Sequence, residues 1–370
     1  MPNLVSPAAI LPGIESEAIP PSARLTMPSQ PIDPLQHPHW DAWVVQHPDF
    51  SFFHGAAWAK VLVETYGFTP RYFTTGGPGR IHSLLPLMEA DSWLTGRRGI
   101  ALPFTDSCEP FFLTDSLPEK LLKDAVDFGR ARGWKYLECR GGRKLSGQVP
   151  VSVCFYGHRL DLTLGEDKLF AGLKASVRQA VRKAEQAGVT VEISDSLEAL
   201  KIFYQLQCLT RQKHGLPPQP FAFFGNIHRH ILARKSGMIA VARHGRIPIA
   251  ASVYFHLNGR AVFKYGAAND SYQHLRGVNL AMWEAIKWHV RQGMCQLHLG
   301  RTSLANAGLR RFKLAWGARE ETIEYFKYDL RREVFVTDRD ESSGWHNYAF
   351  QRLPLWASRV IGNVLYRHWA

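Results

Sequence analysis

The stretch "GMIAVARHGRIPIAASVYFHLNGRAVFKYGAA" (residues 237–268) holds three apolar runs, 237–243, 247–257 and 260–267, parted by "HGRIP" and "LNGR". Runs of this length, bounded by glycine and asparagine turn residues, predict strands joined by tight hairpins. An antiparallel meander is therefore expected here. Downstream the period changes. "VNLAMWEAIKWHVRQG" (278–293) has helical spacing, "CQLHLG" (295–300) reads as a strand, "AGLRRFKLAWGA" (307–318) as a short helix or turn, and "TIEYFKY" (322–328) as a last strand. Grouped antiparallel strands followed by a helix and further strands indicate an α+β mixed sheet.

Upstream, "EDKLFAGLKASVRQAVRKAEQAG" (166–188) predicts one helix with two stripes. Leu169, Leu173, Val177, Val181 and Ala184 form the apolar one, and Lys174, Arg178 and Arg182 the basic one, with Gly188 as the stop signal. The strand "VTVEI" and helices over 196–213 and 220–235 lead into the meander. The first half shows the same order in shorter form: a helix at 54–67, strands at 71–75, 81–89 and up to 104, a helix at 117–133, then strands in "KYLECR" and "SVCFYGHRLDL". Two related domains are expected, over 37–164 and 165–330, each a mixed, mostly antiparallel sheet flanked by helices. Residues 1–36 contain eight prolines and no apolar period, and predict a disordered arm, with folding starting near His39-Trp40. Residues 331–370 form an extension ending in a basic amphipathic helix, in which Leu355, Trp356, Val360, Ile361, Val364, Leu365 and Trp369 oppose Arg352, Arg359, Arg367 and His368. Such a helix suits either an anionic bilayer surface or packing on its own domain.

The 370 residues are 45% hydrophobic and 21% charged, an ordinary globular composition that excludes fibrous and disordered chains. No run approaches the roughly 18 apolar residues of a spanning helix, and no signal-type apolar segment follows a charged start. Five dispersed cysteines without a CxxC pair point to a reducing compartment and away from a structural zinc site. These features together predict a cytoplasmic protein. A net charge of +13 favours polyanionic partners: RNA, anionic lipid or phosphate-bearing substrates. There is no P-loop, dinucleotide fingerprint, GxSxG or HExxH, and the close pairs His37/His39 and His228/His230 lack acidic or cysteine companions. Hydrolase, NTPase, dehydrogenase and zinc-enzyme chemistry lose their sequence support, and no metal is expected.

Four stretches of the second half resemble the GNAT-like domain of FemAB-type aminoacyltransferases and the related CelD-like acetyltransferases. They are "LKASVRQAVRKAEQAGVTVEI" (173–193), "FKYGAANDSYQHLRGVNLAMWEAIKW" (263–288), "LHLGRTSLANAGLRRFK" (297–313) and "WGARE" (316–320). In the first half Phe53-His54, Trp58, Leu85-Pro86-Leu87 and Pro103-Phe104 resemble the FemAB-like proteins of exopolysaccharide and exosortase systems. The resemblance covers about residues 40–330 and implies two tandem GNAT-like domains. It also implies acyl or aminoacyl transfer from a thioester or an aminoacyl-tRNA to an amine. In that fold two neighbouring strands splay, so that backbone N–H groups stabilise the developing oxyanion. The acceptor needs positioning more than covalent help.

The resemblance also nominates residues. Lys313 matches the family's Phe-Lys lysine, a contact to phosphate or to the transition state, and stands with Arg310 and Arg311 in a dense basic element. Tyr265 lies on the strand where a donor docks and is the second catalytic candidate; core packing is the competing reading. Arg276, Gly277 and Asn279 occupy the turn where GNAT enzymes hold the coenzyme A pyrophosphate, but only Gly277 keeps the family's pattern. Asn279 replaces a small residue, which weakens the case for coenzyme A and favours aminoacyl-tRNA as donor. Substrate-binding candidates are Arg178 and Lys174 on the basic stripe, Arg301 and Asn306 after the strand at 295–300, and Asp106 of "PFTDSCEP". The expected function is acyl or aminoacyl transfer to an amine of a phosphate-bearing or lipid-linked envelope or exopolysaccharide precursor, with tRNA and the inner face of the membrane as partners and no DNA. The alternatives are an acetyl-CoA-dependent N-acetyltransferase and a non-catalytic GNAT-fold protein that binds RNA or membrane.

Overall fold

The structure, a computed structural model, describes residues 30–77, 79–113, 118–142, 149–338 and 350–369. The first half runs α1 (Trp40–Val44), α2 (Ala56–Tyr66), β1 (Thr69–Gly77), β2 (Arg80–Ala90), β3 (Arg98–Ile100), β4 (Phe111–Phe112), α3 (Pro118–Ala131), β5 (Tyr136–Arg140) and β6 (Val153–Asp161). The second runs α4 (Glu166–Gly172), α5 (Ala175–Gln186), β7 (Val189–Ser194), α6 (Leu197–Lys213), α7 (Phe221–His230), β8 (Gly237–His244), β9 (Ile247–Leu257), β10 (Arg260–Ala268), α8 (Gly277–Arg291), β11 (Gln296–Ser303), α9 (Ala307–Leu314) and β12 (Arg319–Asp329). A short β13 (Val334–Phe335) and α10 (Leu355–Leu365) follow.

The meander forms as the turn chemistry predicts. Between β9 and β10, Asn258 and Gly259 take φ of 42° and 78°, the left-handed pair that a two-residue hairpin requires. The helix expected over 166–188 is instead broken in two. Leu173 and Lys174 are extended, with ψ of 145° and 147°. Leu173 is buried there, the Lys174 N–H donates to Ala315 O at 3.0 Å, and Arg178 Nη1 donates to Ala171 O at 2.9 Å and to Leu173 O. These tertiary bonds replace the intrahelical ones. The folded chain also starts earlier than His39. Ile32 exchanges backbone bonds of 2.9 and 3.0 Å with Tyr72 of β1, and Pro34 is buried. The rest of the expected proline-rich arm, up to residue 29, lies outside the described residues.

The two halves share one sheet, in the order β1-β2-β3-β5-β12-β6-β11-β10-β9-β8-β7. Their last strands are exchanged. β6, which ends the first half, pairs with β11 and β12, while β12, which ends the second, pairs with β5 and β6. Side chains on alternate positions serve different cores. On β8, Ile239 and Val241 face one core, and Met238, Ala240 and Ala242 the other. The first core joins the halves: Trp58 of α2 meets Phe223 of α7 at 5.7 Å and Phe255 of β9 at 5.8 Å, all three fully buried. Each such side chain contributes about 1.5–3 kcal/mol through burial. The second core lies under α4, α5 and α8, and the third packs α3 on β1, β2 and β5 around Phe73, Leu85, Leu121 and Trp134.

In that third core Trp134 lies flat on Gly99, and its Nε1 is held by Glu89 Oε2 at 2.8 Å. A Cβ at Gly99 would sit 2.0 Å from the indole. Because the ring is tethered, Gly99→Ala should destabilise the fold by about 1–3 kcal/mol. Urea unfolding reads this as a lower midpoint at unchanged slope, and an unchanged midpoint would show that the ring moves freely.

Candidate active site

β10 and β11 pair in parallel only over Arg260–Val262 and Gln296–His298, and then part. Each strand is bulged at the parting. On β10, Lys264 is the extra residue between Phe263 and Tyr265; on β11, Leu299 and Gly300 interrupt the register, with Gly300 at φ 74°. Bulges re-aim side chains and end pairing, which leaves backbone groups free for other partners. Lys313 of α9 takes two of them, since its Nζ donates to Gly300 O at 2.8 Å and to Arg301 O at 2.9 Å. A lysine ammonium has three donors, so one remains. Lys313 is 5% exposed, and burial pulls its pKa down to about 8, with Asp106 opposing the shift. It lines an apolar channel of about 410 Å³ together with Phe263, Gly266, Leu299 and Met282.

The channel shares Ala250, Ala268, Asp270, Val278 and Phe312 with a wider vestibule of about 1150 Å³. The vestibule is strongly cationic: Arg178, Arg182, Lys183, Arg276 and Arg311 line it, against the single carboxylate Asp270, which is itself paired with Lys213 at 2.7 Å. The α8 N-terminus opens into it. Arg276 precedes that helix in the left-handed conformation, φ 58°, and no side chain caps the first turn. Uncapped N–H groups and the helix dipole both favour an anion there. Gly277 packs closely on β9, where an added Cβ would lie 2.7 Å from Ile249 Cδ1 and displace that side chain.

A third cavity, about 340 Å³, lies between the halves. Asp106, Glu109, Glu321 and Glu324 line it, with Arg159, Arg260 and His298. Asp106 comes from the first half and reaches Lys264 Nζ at 3.4 Å. The Lys264 side chain is 5% exposed, and its ammonium stands 5.5 Å over the Phe53 ring and 5.9 Å over Trp58. Burial lowers the Lys264 pKa although Asp106 raises it. Burial raises that of Asp106, yet Lys264, Arg301, Lys313 and His298 more than offset this, and the carboxylate stays below its usual range. The loop carrying Asp106 is pinned from β12 and β11: Tyr325 OH donates to Asp106 O at 2.6 Å, and Arg301 Nη1 donates to Tyr325 OH at 2.9 Å. His298 accepts from Gly300 N–H at 3.0 Å through Nδ1, so Nε2 carries the proton and donates to Glu321 Oε1 at 3.2 Å. Burial alone would raise Glu321, but His298 and Arg159 bring it to about 2.

The structure thus brings Lys313, Arg301 and Asp106 together at the strand parting and sets Arg178, Arg276, Gly277 and Asn279 around the vestibule. Lys174 is exposed at the start of α5 and lines neither space. Tyr265 packs into the core between the halves, 6.1 Å from the Phe203 ring and 5.6 Å from Phe224, and burial pushes its phenol well above the usual pKa. Asn306 caps α9, its Oδ1 accepting from Leu309 N–H at 3.0 Å. The basic element of α9 splits three ways: Arg310 is bidentate to Glu320 at 2.7 and 2.8 Å, Arg311 faces the vestibule, and Lys313 is buried rather than on a solvated face. Sequence reasoning missed Lys264, His298 and Glu321. Lys264 had a signal, a cation interrupting the apolar run "AVFKYGAA". His298 and Glu321 had none, because they meet only when β11 and β12 flank β6.

Residues 171–314 match the acetyltransferase (GNAT) domain family. The chain is similar to the crystal structure of FemX, with TM-score 0.62 and 16% identity over 80% of this chain and 97% of that one. It is also similar to the C-terminal domain of a putative lysylphosphatidylglycerol synthetase from Agrobacterium fabrum (0.53, 13%, 84% and 94%) and to a tandem GNAT protein from the clavulanic acid biosynthesis pathway (0.50, 10%, 80% and 95%). No curated protein sequence matches it significantly. The domain match and the fold define a GNAT-fold transferase. The family match thus covers a GNAT domain at residues 171–314, and the chain as a whole shares the fold of FemX.

Protonation of Lys313 gives a signed test. Its pKa is lowered from 10.5 to about 8, so between these values the unfolded chain holds the proton more tightly and native stability rises with pH. Below pH 8 both states are protonated and this dependence vanishes. The stability difference between wild type and Lys313→Met should therefore grow from pH 8 to pH 10 in favour of wild type. Urea titrations of both proteins measure it, and a difference independent of pH would place the Lys313 pKa near its ordinary value.

Proposed function

We propose that the protein transfers an acyl or aminoacyl group from a bulky polyanionic donor to an amine, with aminoacyl-tRNA the preferred donor and a lipid-linked or phosphate-bearing envelope or exopolysaccharide precursor the acceptor. One observation carries this reading: the cation-lined vestibule narrows into an apolar channel that ends on Lys313 at the strand parting, with the acidic cavity at Asp106 beside it. The vestibule exceeds the roughly 300–1,000 Å³ of common small-molecule sites. Its charge suits a nucleic acid end, whose binding draws mostly on phosphate neutralisation. The acyl or aminoacyl group would pass down the channel and place its carbonyl at the parting. There the remaining Lys313 donor meets the developing oxyanion. Asp106, ionised, orients the acceptor amine. The amine nitrogen bonds to the carbonyl carbon, the ester C–O bond breaks, and the amine proton leaves with the ribose oxygen. The likeness to a domain of a putative lysylphosphatidylglycerol synthetase supports a lipid-linked acceptor.

A second reading, acetyl-CoA-dependent N-acetylation, draws on the GNAT domain match and on the uncapped α8 N-terminus behind Arg276-Gly277. Salt-titrated filter binding with tRNA and calorimetry with acetyl-CoA separate the two. Under the first reading tRNA binds with a steep salt dependence. The variant Arg182→Gln/Lys183→Gln/Arg311→Gln then lowers the slope of log K against log salt by about 2, near 0.7 per lost contact to single-stranded phosphate. Tight acetyl-CoA binding with absent tRNA binding makes the second reading the correct one. Asp106→Asn should lower turnover at least about tenfold under either reading, since it removes the charge that positions the amine. An unaltered turnover would move the acceptor elsewhere.

A further inference from the structure

Six large apolar side chains stand open to solvent at one face: Trp93 is 85% exposed, Leu94 53%, Trp356 70%, Val360 56%, Val364 58% and Trp369 44%. They come from two places far apart in sequence, the turn between β2 and β3 and α10 with the residues after it. Trp356, Val360 and Val364 are spaced by four and share one face of α10. The opposite face is docked. Ser358 and Gly362 are buried, a Cβ at Gly362 would lie 2.0 Å from Pro218 O, and Arg211 Nη2 donates to Tyr366 OH at 2.6 Å. The exposed row leads on to His368, which binds the other segment. Its Nδ1 lies 2.8 Å from Ser92 Oγ, its ring is 5.4 Å from that of Trp93, and Arg98 Nη2 donates to its carbonyl at 2.8 Å. The two segments therefore form one apolar surface, and contiguous exposed surface of this kind marks an interaction site.

Charge and side-chain chemistry decide what covers it. Of the arginines in these segments, Arg352 and Arg367 are exposed, while Arg97 is paired with Asp91 at 2.6 Å, Arg98 is buried on the His368 carbonyl and Arg359 lies 5.6 Å over the Tyr204 ring. Lys135 lies over Gly96 at the turn, where a Cβ would be 2.4 Å from its Cε. Exposed tryptophans beside the exposed Arg352 and Arg367 match the headgroup region of an anionic bilayer, where indole rings settle at the interface and arginine and lysine meet lipid phosphate. No described helix is long and apolar enough to cross a membrane, so the surface lies on the bilayer. We infer that this face docks the protein on an anionic membrane surface. The docking face is tied to the cleft: Gln212 Nε2 donates to Leu353 O at 2.9 Å, Gln351 Nε2 donates to Lys213 O at 3.0 Å, and Lys213 lines the channel. A docked molecule thus holds its cleft rim beside the lipid surface.

Co-sedimentation of the full chain with vesicles of phosphatidylcholine, with and without phosphatidylglycerol, tests the inference. It reads binding alone and so stands apart from the transfer reaction. Wild type should sediment with the anionic vesicles and weakly with the neutral ones. Trp93→Ser/Trp356→Ser should lower the partition coefficient by roughly tenfold or more, at an unchanged unfolding temperature, because both rings are already in water. Lys135→Gln/Arg367→Gln should reduce binding to anionic vesicles only. Failure of wild type to sediment at low salt, or equal sedimentation of the tryptophan variant, would overturn it. So would a dimer, seen by light scattering, that the tryptophan variant disperses, since a second copy would then be the occupant.

Discussion

The exchange of β6 and β12 is the constraint on which the rest of the molecule depends. Two antiparallel strands from opposite halves pair from Arg319–Arg159 to Tyr325–Val153 in the middle of the sheet, and each also borders the other half. A backbone ladder of this kind has no freedom to slip, because a one-residue shift would turn Phe155 and Ile323 out of their shared cluster. The halves therefore cannot move as separate bodies about that line. The Trp58, Phe223 and Phe255 core clamps them a second time.

This rigidity matters because the candidate site is composite. Asp106 belongs to the first half, whereas Lys264, Arg301 and Lys313 belong to the second. The loop bearing Asp106 is held through Tyr325 of the exchanged strand. Buried charges are costly unless they are paired or hydrogen-bonded, and both buried lysines here have such partners: Lys313 two carbonyls, Lys264 Asp106 and the faces of Phe53, Trp58 and Tyr265. Removing the exchange would leave Asp106 and Lys264 without each other. The same geometry separates the tasks of the site. Cations collect in the vestibule, carboxylates collect in the cavity between the halves, and the apolar channel opens from the vestibule toward the parting where Lys313 and Asp106 meet.

Much of the architecture was legible in local patterns. The meander, the Asn258-Gly259 hairpin, α8 and the order of helices and strands in both halves follow from periodicity and turn chemistry, which act over a few residues. The broken helix at Leu173-Lys174 was not legible, because the bonds that break it come from Ala315 and from the Arg178 side chain reaching back. Of the candidate site, the resemblance nominated Lys313, Arg301, Asp106 and the Arg276-Gly277 turn, while Arg310, Arg311 and Lys313 read as one basic cluster and point in three directions. An eight-residue helix turns by about 100° per residue, so neighbours in sequence face different surroundings.

The chain alone determines which segments become strands and helices, where glycines stop them, and that the molecule is basic enough to seek polyanions. Only the folded chain decides which strand lies beside which. Pairing between segments more than a hundred residues apart is set by the burial of whole sheet faces and not by any local preference, and a strand that pairs with its own half carries the same alternation as one that crosses. The meeting of Asp106 with Lys264, of His298 with Glu321, and of Trp93 with the C-terminal helix all follow from that choice of neighbours.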